Sequence, residues 1–178
     1  PEGDAIVFVA STNRDAAAYA DTNTSLFKIA ATGGEPVRLT TSSNSFTNPT
    51  FRPDGKELYA LTEVQGDNKT YHLTRLVKLT WPNAGEPEVL TARWDRSVGG
   101  FASTPDSKSI YLTAEEAGNE ELFTIPANGG EVRLAMDMTK GVYTNLRIPS
   151  KASSTIVLVS WESAINPPEI FRLDLSSK

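Results

Sequence analysis

Two short motifs that recur in the same register predict an all-β chain, a partial β-propeller of about four blades with four antiparallel strands each. The first motif is a strand, a tight turn and a strand. Phe46 to Phe51 reads as the end of one strand, Pro53-Asp54-Gly55 as the reversal, and Glu57-Leu58-Tyr59-Ala60-Leu61-Thr62 as the next strand. Proline presets one backbone angle of such a turn and glycine accepts the positive φ it needs. A second copy runs Phe101-Ala-Ser-Thr-Pro105-Asp106-Ser107-Lys108-Ser109-Ile110-Tyr111-Leu112-Thr113, 52 positions on. A third turns at Pro149-Ser150 before Thr155 to Ser160, 44 positions further, and the chain opens on Pro1-Glu2-Gly3-Asp4 followed by Ala5 to Ala10.

The second motif lies between these turns. Leu26-Phe27-Lys28-Ile29-Ala30, Gly33-Gly34 and Val37-Arg38-Leu39 match Leu122-Phe123-Thr124-Ile125, Gly129-Gly130 and Val132-Arg133-Leu134. The offset, 96 from Phe27 to Phe123, equals the combined spacing of the proline turns. A middle copy starts at Leu76 to Thr80 and ends at Glu88-Val89-Leu90-Thr91; a last one is Glu169 to Asp174. Asn-Gly and Gly-Gly are hairpin signals because type I′ turns need positive φ at both central positions. Four short strands per 44 to 52 residues is the period of a propeller blade. An ordinary β-sandwich would give no reason for two motifs to recur in register.

Taken in order, residues 1–40 form a first blade without its innermost strand. Residues 46–91 form a second, 98–135 a third, and 142–175 begin a fourth. Ile6 to Val9 is β-branched and aromatic, as a buried strand requires. Ser11 to Ser25 is polar; Ala16-Ala17-Ala18 could nucleate a helical turn, but the stretch reads as a long hairpin loop. His72 falls in what reads as a Thr70-Tyr71-His72-Leu73 strand. Pro167-Pro168 predicts an extended approach to the third strand of the last blade. No segment keeps helical periodicity over three turns. An arc of about four blades leaves two blade faces bare. The expectation is that the remaining blades lie in a polypeptide of which this chain is a piece, and that the isolated piece self-associates.

The 178 residues carry a net charge of −5, 39% hydrophobic residues and no cysteine. Disulfides, thiolate zinc sites and a cysteine nucleophile are excluded. No basic cluster offers the footprint a nucleic-acid phosphate backbone needs, and no run of 18 apolar residues reads as a membrane span. The absence of cysteine fits a cytoplasm or a periplasm alike. No cofactor is expected. No metal site is expected either, since Asp21, Asp67 and Asp137 lack calcium-loop spacing. Asn23-Thr24-Ser25 and Asn68-Lys69-Thr70 match the glycosylation acceptor pattern. Trp81, Trp94 and Trp161 fall at different places in their blades and read as packing or loop anchors, not as one ligand-stacking face. A free-standing lectin-like propeller would repeat aromatic or acidic pocket residues in every blade, and these do not recur.

The turn Phe51-Arg52-Pro53-Asp54-Gly55-Lys56-Glu57-Leu58-Tyr59 resembles the Trp-Ser-Pro-Asp-Gly-Lys repeat of two groups. One is the periplasmic propeller of the TolB type; the other is the N-terminal propeller of the prolyl-oligopeptidase family of serine peptidases. Trp94-Asp95-Arg96-Ser97-Val98-Gly99, Thr113-Ala114-Glu115-Glu116-Ala117-Gly118 and Asn166-Pro167-Pro168-Glu169-Ile170-Phe171 are similar to the acylaminoacyl- and dipeptidyl-peptidase branch of the second group. That resemblance implies a non-catalytic segment that caps and gates the active site of a peptidase cleaving short peptides. The catalytic Ser, Asp and His would belong to a C-terminal α/β-hydrolase domain, with the nucleophile in a Gly-x-Ser-x-Gly elbow. No Gly-x-Ser-x-Gly occurs in this chain, and His72 is its one histidine, so no catalytic residue is assigned within it. The resemblance leans toward a periplasmic or secreted protein. It also nominates Asp95 and Arg96, in a loop between blades, as substrate contacts, because a guanidinium fork suits a peptide carbonyl or carboxylate. The plainer role for the same residues is an ion pair that pins the loop. Glu115-Glu116 resembles the acidic pair that holds a substrate's amino end in the dipeptidyl branch. There it sits on a helical insert; here it lies in a short hairpin, as in a solvated turn. The alternative to a peptidase propeller is a TolB-like scaffold that binds another protein.

Overall fold

The computed structural model describes residues 3–16, 18–19, 22–63, 72–136, 140–149, 151 and 156–175. Their regular structure is β-strand apart from one 3-10 turn at Arg14–Ala16, which sits inside the polar hairpin loop before Thr24. Four antiparallel sheets follow one another along the chain, two in each of two compact units, Pro1–Ala92 and Arg93–Lys178.

In the first unit, β1 (Ala5–Ser11), β2 (Thr24–Ala30) and β3 (Val37–Arg38) form a three-stranded sheet in sequential order. The next sheet holds β4 (Ser45–Phe51), β5 (Glu57–Glu63), β6 (Arg75–Thr80) and β7 (Ala84–Val89). Leu26 of the first sheet is buried with Phe46, Leu58, Ala60, Val77, Leu79 and Ala84 of the second, and Val7, Leu39 and Phe51 pack around them. Both sheets close alike. Leu39 and Leu90 donate their amides to the carbonyls of Leu26 and Leu76, and the hydroxyls of buried Thr40 and Thr91 accept from the amides of the same two leucines at 3.0 Å.

In the second unit, β8 (Gly100–Ser103), β9 (Ser109–Glu116), β10 (Asn119–Pro126) and β11 (Arg133–Leu134) form a four-stranded sheet. β12 (Val142–Arg147), β13 (Ile156–Ser163) and β14 (Asn166–Asp174) form a three-stranded one. Leu122 is buried with Tyr143, Leu146, Val157 and Val159, and Tyr111, Ala135 and Leu173 pack against this group.

The repeated Pro-Asp turn has one chemistry. Asp54 and Asp106 each accept the backbone N–H two residues on, from Lys56 and Lys108, at 3.1 Å. Gly55 and Ser107 donate back to Arg52 and Thr104 at 2.8 and 2.9 Å. Both occupy the left-handed region, at φ 73° and 59°, a conformation that costs a residue with a Cβ about 1 kcal/mol or more. Hydrogen bonds from Thr104 and the Lys108 amide hold the Asp106 carboxyl below its usual range. The turn therefore keeps this stabilisation above the unfolded carboxyl's pKa and loses it as pH falls through the lower folded value.

Three local expectations change. The Gly-Gly pairs do not make two-residue hairpins: residues 31–36 and 127–132 separate β2 from β3 and β10 from β11, with Gly33, Gly34, Gly129 and Gly130 at positive φ inside six-residue loops. His72 is not in a strand; it precedes β6, which begins at Arg75. Pro167 and Pro168 lie within β14 itself, not before it. β14 is an edge of its sheet, and its pairing with β13 shifts register between Asn166 and Glu169, so the two prolines fall at a bulge on an edge strand, where missing N–H groups are tolerated.

Candidate functional site

Arg96 sits in the segment that leads from residue 93 to β8. Trp94 packs edge-on against Phe123 with ring centroids 5.0 Å apart. Gly99 donates its amide to the Thr113 carbonyl at 2.8 Å. The Glu120 carboxylate lies so close over Gly99 that a methyl group there would displace it. Between these two anchors, Arg96 donates through Nη1 to Asp95 at 2.7 Å and pairs through Nη2 with Glu116, at the end of β9.

The structure thus brings together Asp95, Arg96 and Glu116, three of the residues the sequence nominated. Glu115 next to them is exposed, and it lies opposite Glu120 in the β9–β10 ladder. The Arg96 side chain is 31% exposed and Asp95 85%. Two carboxylates therefore meet the guanidinium charge, and the loop is tied to the hairpin by an ion pair as well as by rings and backbone. Beyond the turn of that hairpin, a shallow hollow of about 370 Å³ is lined by Gly118, Asn119, Lys140, Gly141, Glu162 and Ser163. Gly141 accepts the Glu120 amide at 2.9 Å, which joins the hollow's floor to the strand that carries Glu120.

The other nominated residues are engaged locally. Trp81 packs edge-on to Phe51 at 4.8 Å, with the Lys28 ammonium 5.6 Å from its ring centre. Trp161 meets Phe171 edge-on at 5.7 Å and Tyr143 at 6.5 Å. Each tryptophan has its own neighbours, as expected of anchors. Asn23 of the first glycosylation pattern is half-buried at the start of β2. The second pattern, Asn68-Lys69-Thr70, lies outside the described residues, as do Asp21, Asp67 and Asp137. Among the described residues no three His, Asp or Glu side chains cluster as metal ligands.

One charged group escaped the sequence reading. Glu57 pairs with Arg52 and with Lys78, 3.5 Å away, and Lys78 also meets Glu88 at 3.0 Å. Burial alone would lower the Lys78 ammonium, but the carboxylates of Glu88 and Glu57 outweigh it and raise it. The signal was available: Arg52 and Glu57 flank the Pro-Asp-Gly turn, where the second copy has Thr104 and Ser109. Beside this network Tyr59 is fully buried, and burial pushes its phenol up to about 12. The unfolded phenol ionises near 10, so the stability tied to neutral Tyr59 is present below pH 10 and lost as pH rises from 10 to 12, on the order of 2 kcal/mol. Tyr59→Phe is expected to remove that share of the alkaline loss, read by circular dichroism across this window.

No family model matches the chain. In sequence it is 28% identical over 127 residues to dipeptidyl-peptidase 5 of Aspergillus oryzae, a match that covers 68% of this chain and 17% of that protein. The chain thus spans less than a fifth of the curated relatives it matches. In structure it is similar to TolB from Acinetobacter baumannii, with a TM-score of 0.67 at 20% identity over 95% of this chain and 39% of that one. It is also similar to the acylaminoacyl peptidase of Pyrococcus horikoshii, with a TM-score of 0.62 at 18% identity over 97% of this chain and 25% of that one. The fold is that of a β-propeller segment. The curated relatives it matches at 28% identity are dipeptidyl-peptidases.

Proposed function

We propose that this chain is the non-catalytic propeller part of a serine peptidase for short peptides, and that it gates an active site carried by an α/β-hydrolase domain of the same polypeptide. The observation that carries this reading is the sequence likeness to a dipeptidyl-peptidase over 127 residues, joined to a structural likeness to an acylaminoacyl peptidase over 97% of the chain. The chain's own chemistry agrees with a non-catalytic role. Its sequence holds no Gly-x-Ser-x-Gly elbow, the motif that would carry the nucleophile. Peptides would reach the hydrolase past the propeller, so size and flexibility would select the substrate. Asp95 and Arg96 are the proposed contacts: Arg96 is held in place by Glu116 and offers its exposed edge to a peptide carbonyl or carboxylate.

The test compares a short chromogenic dipeptide with a long unstructured peptide as substrates of the full-length protein. Arg96→Ala is expected to raise KM for the dipeptide about tenfold with little change in kcat, the size of a lost charged hydrogen bond. Unchanged KM would remove Arg96 from the substrate path. Equal kcat/KM for the short and the long peptide would remove the gate.

The second reading, a scaffold that binds another protein and carries no enzyme, is favoured by the TolB likeness over 95% of the chain. It requires a reading frame with no Gly-x-Ser-x-Gly elbow beyond residue 178.

A further inference from the structure

Directly opposed residues of antiparallel strands share a face of the sheet, and alternate residues share it along a strand. Lys28 lies opposite Val37 in the β2–β3 ladder, so both are on the face that carries Leu26. Leu26 is buried with Leu58, Val77 and Leu79 of the second sheet. A hollow of about 470 Å³ opens between that face and the β6–β7 turn, lined by Asp4, Lys28, Glu35, Val37, Trp81 and Pro82 among others. Both walls belong to the first unit. They come from two sheets that already pack on each other, so the hollow owes nothing to what adjoins the chain at either end.

The hollow presents both signs of charge. The Lys28 ammonium donates to the Pro82 carbonyl at 2.9 Å and stands 5.6 Å from the centre of the Trp81 ring. It is thereby held in place with N–H donors to spare, since an ammonium has three. The Ala31 amide donates to the Asp4 carbonyl at 2.8 Å, which ties the start of β1 to the loop that carries Glu35. Asp4 and Glu35 are both exposed, and among the described residues neither enters an ion pair. The rest of the wall is apolar. It holds Trp81, which Phe51 meets edge-on at 4.8 Å, Pro82, and Val37, which is 54% exposed. A simple cation would meet the Lys28 charge here, and a simple anion would meet two carboxylates. A molecule with an ammonium at one end, a carboxylate at the other and an apolar side chain matches all three groups.

We propose that this hollow binds a short peptide with both ends free. The α-ammonium pairs with Asp4 and Glu35, the carboxylate accepts from Lys28, and an apolar side chain lies against Trp81 and Val37. Charged partners of this kind make the stronger hydrogen bonds. Two extended residues span about 7 Å, and a hollow of about 470 Å³ is within the range of small-ligand sites, which begins at about 300 Å³. The inference stands on this chemistry alone. It uses neither Asp95 nor Arg96, which belong to the other unit. Under the reading proposed above, peptides of this size are also what the reaction would release.

The test is calorimetric titration of the full-length protein with the dipeptide Ala-Leu and with its N-acetyl and C-terminal amide forms. The protein is first treated with a fluorophosphonate, so that no peptidase serine competes, and circular dichroism checks the folding of each variant. Ala-Leu is expected to bind at millimolar concentration. Asp4→Asn combined with Glu35→Gln is expected to weaken it about tenfold, and Lys28→Met, which keeps the apolar stem, about tenfold as well, the size of a lost charged hydrogen bond. Acetylation is expected to cost the wild type about tenfold and the acidic double variant nothing more, and amidation to behave likewise with Lys28→Met, because each pair of changes removes one contact. No binding at millimolar concentration would overturn the proposal. So would binding that none of the variants alters, or blocked forms that bind as tightly as free Ala-Leu. Uptake of the fluorophosphonate reports on the peptidase reading separately: a protein that takes up none and still binds Ala-Leu through these residues would lose that reading and keep this one.

Discussion

Replacing Phe46 by alanine is expected to destabilise the first unit by about 4 kcal/mol, in the range for truncating a buried phenylalanine. Phe46 is 1% exposed and lies on β4, in one cluster with Leu26 of β2 and with Leu58, Ala60, Val77 and Leu79 of β5 and β6. Its backbone carbonyl also accepts the Thr24 hydroxyl at 2.9 Å, a bond that the substitution leaves in place. The effect is therefore a cavity effect between two sheets. It is read as a lower urea midpoint at unchanged slope. A loss below about 1 kcal/mol would mean that the two sheets close over the gap, or that they are not packed through this residue.

Gly141→Ala is expected to cost about 3 kcal/mol in the second unit, the upper range for an overpacked site. Gly141 has φ 157°, and a Cβ there would lie 2.5 Å from the Glu162 carbonyl oxygen and 2.9 Å from Trp161 Cε2. Neither neighbour is the far end of a flexible chain, so backbone or ring must move. Because Gly141 accepts the Glu120 amide, the movement passes to the residue whose carboxylate overlies Gly99. The same variant is thus expected to loosen the Arg96 loop, read as faster amide exchange at Gly99. Gly99→Ala is the milder counterpart, since only the mobile Glu120 carboxylate and the Thr113 hydroxyl oppose the new methyl. Equal losses for the two would contradict this account of the close approaches.

The strands were legible wherever local chemistry fixes them. Pro53-Asp54-Gly55 and Pro105-Asp106-Ser107 encode a turn through one proline, one carboxylate and one left-handed residue, and all three act within four positions. The bulges were not read, although their signal repeats: Thr47-Asn48 and Thr144-Asn145 each place asparagine at positive φ, 52° and 54°, where β4 and β12 shift register. The Gly-Gly pairs do lie between antiparallel partners, β2 with β3 and β10 with β11, but in six-residue loops and not two-residue turns, a length that the glycines alone do not set. At the candidate site, Asp95 and Arg96 were visible as charges in a connecting loop. Their tie to Glu116 was not, because it depends on how β9 returns past the loop 20 residues later. The Glu57–Lys78 pair was hidden for the same reason: strands adjacent in space are 21 residues apart in sequence.

The central claim is that this propeller segment belongs to a serine peptidase whose chemistry lies outside residues 1–178. The most direct measurement is labelling of the full-length protein with a fluorophosphonate probe, followed by peptide mapping of the modified residue. The account predicts one labelled serine, outside residues 1–178 and inside a Gly-x-Ser-x-Gly elbow, and no label on residues 1–178 alone. A full-length protein that takes up no probe, or a label on a serine within this chain, would contradict it.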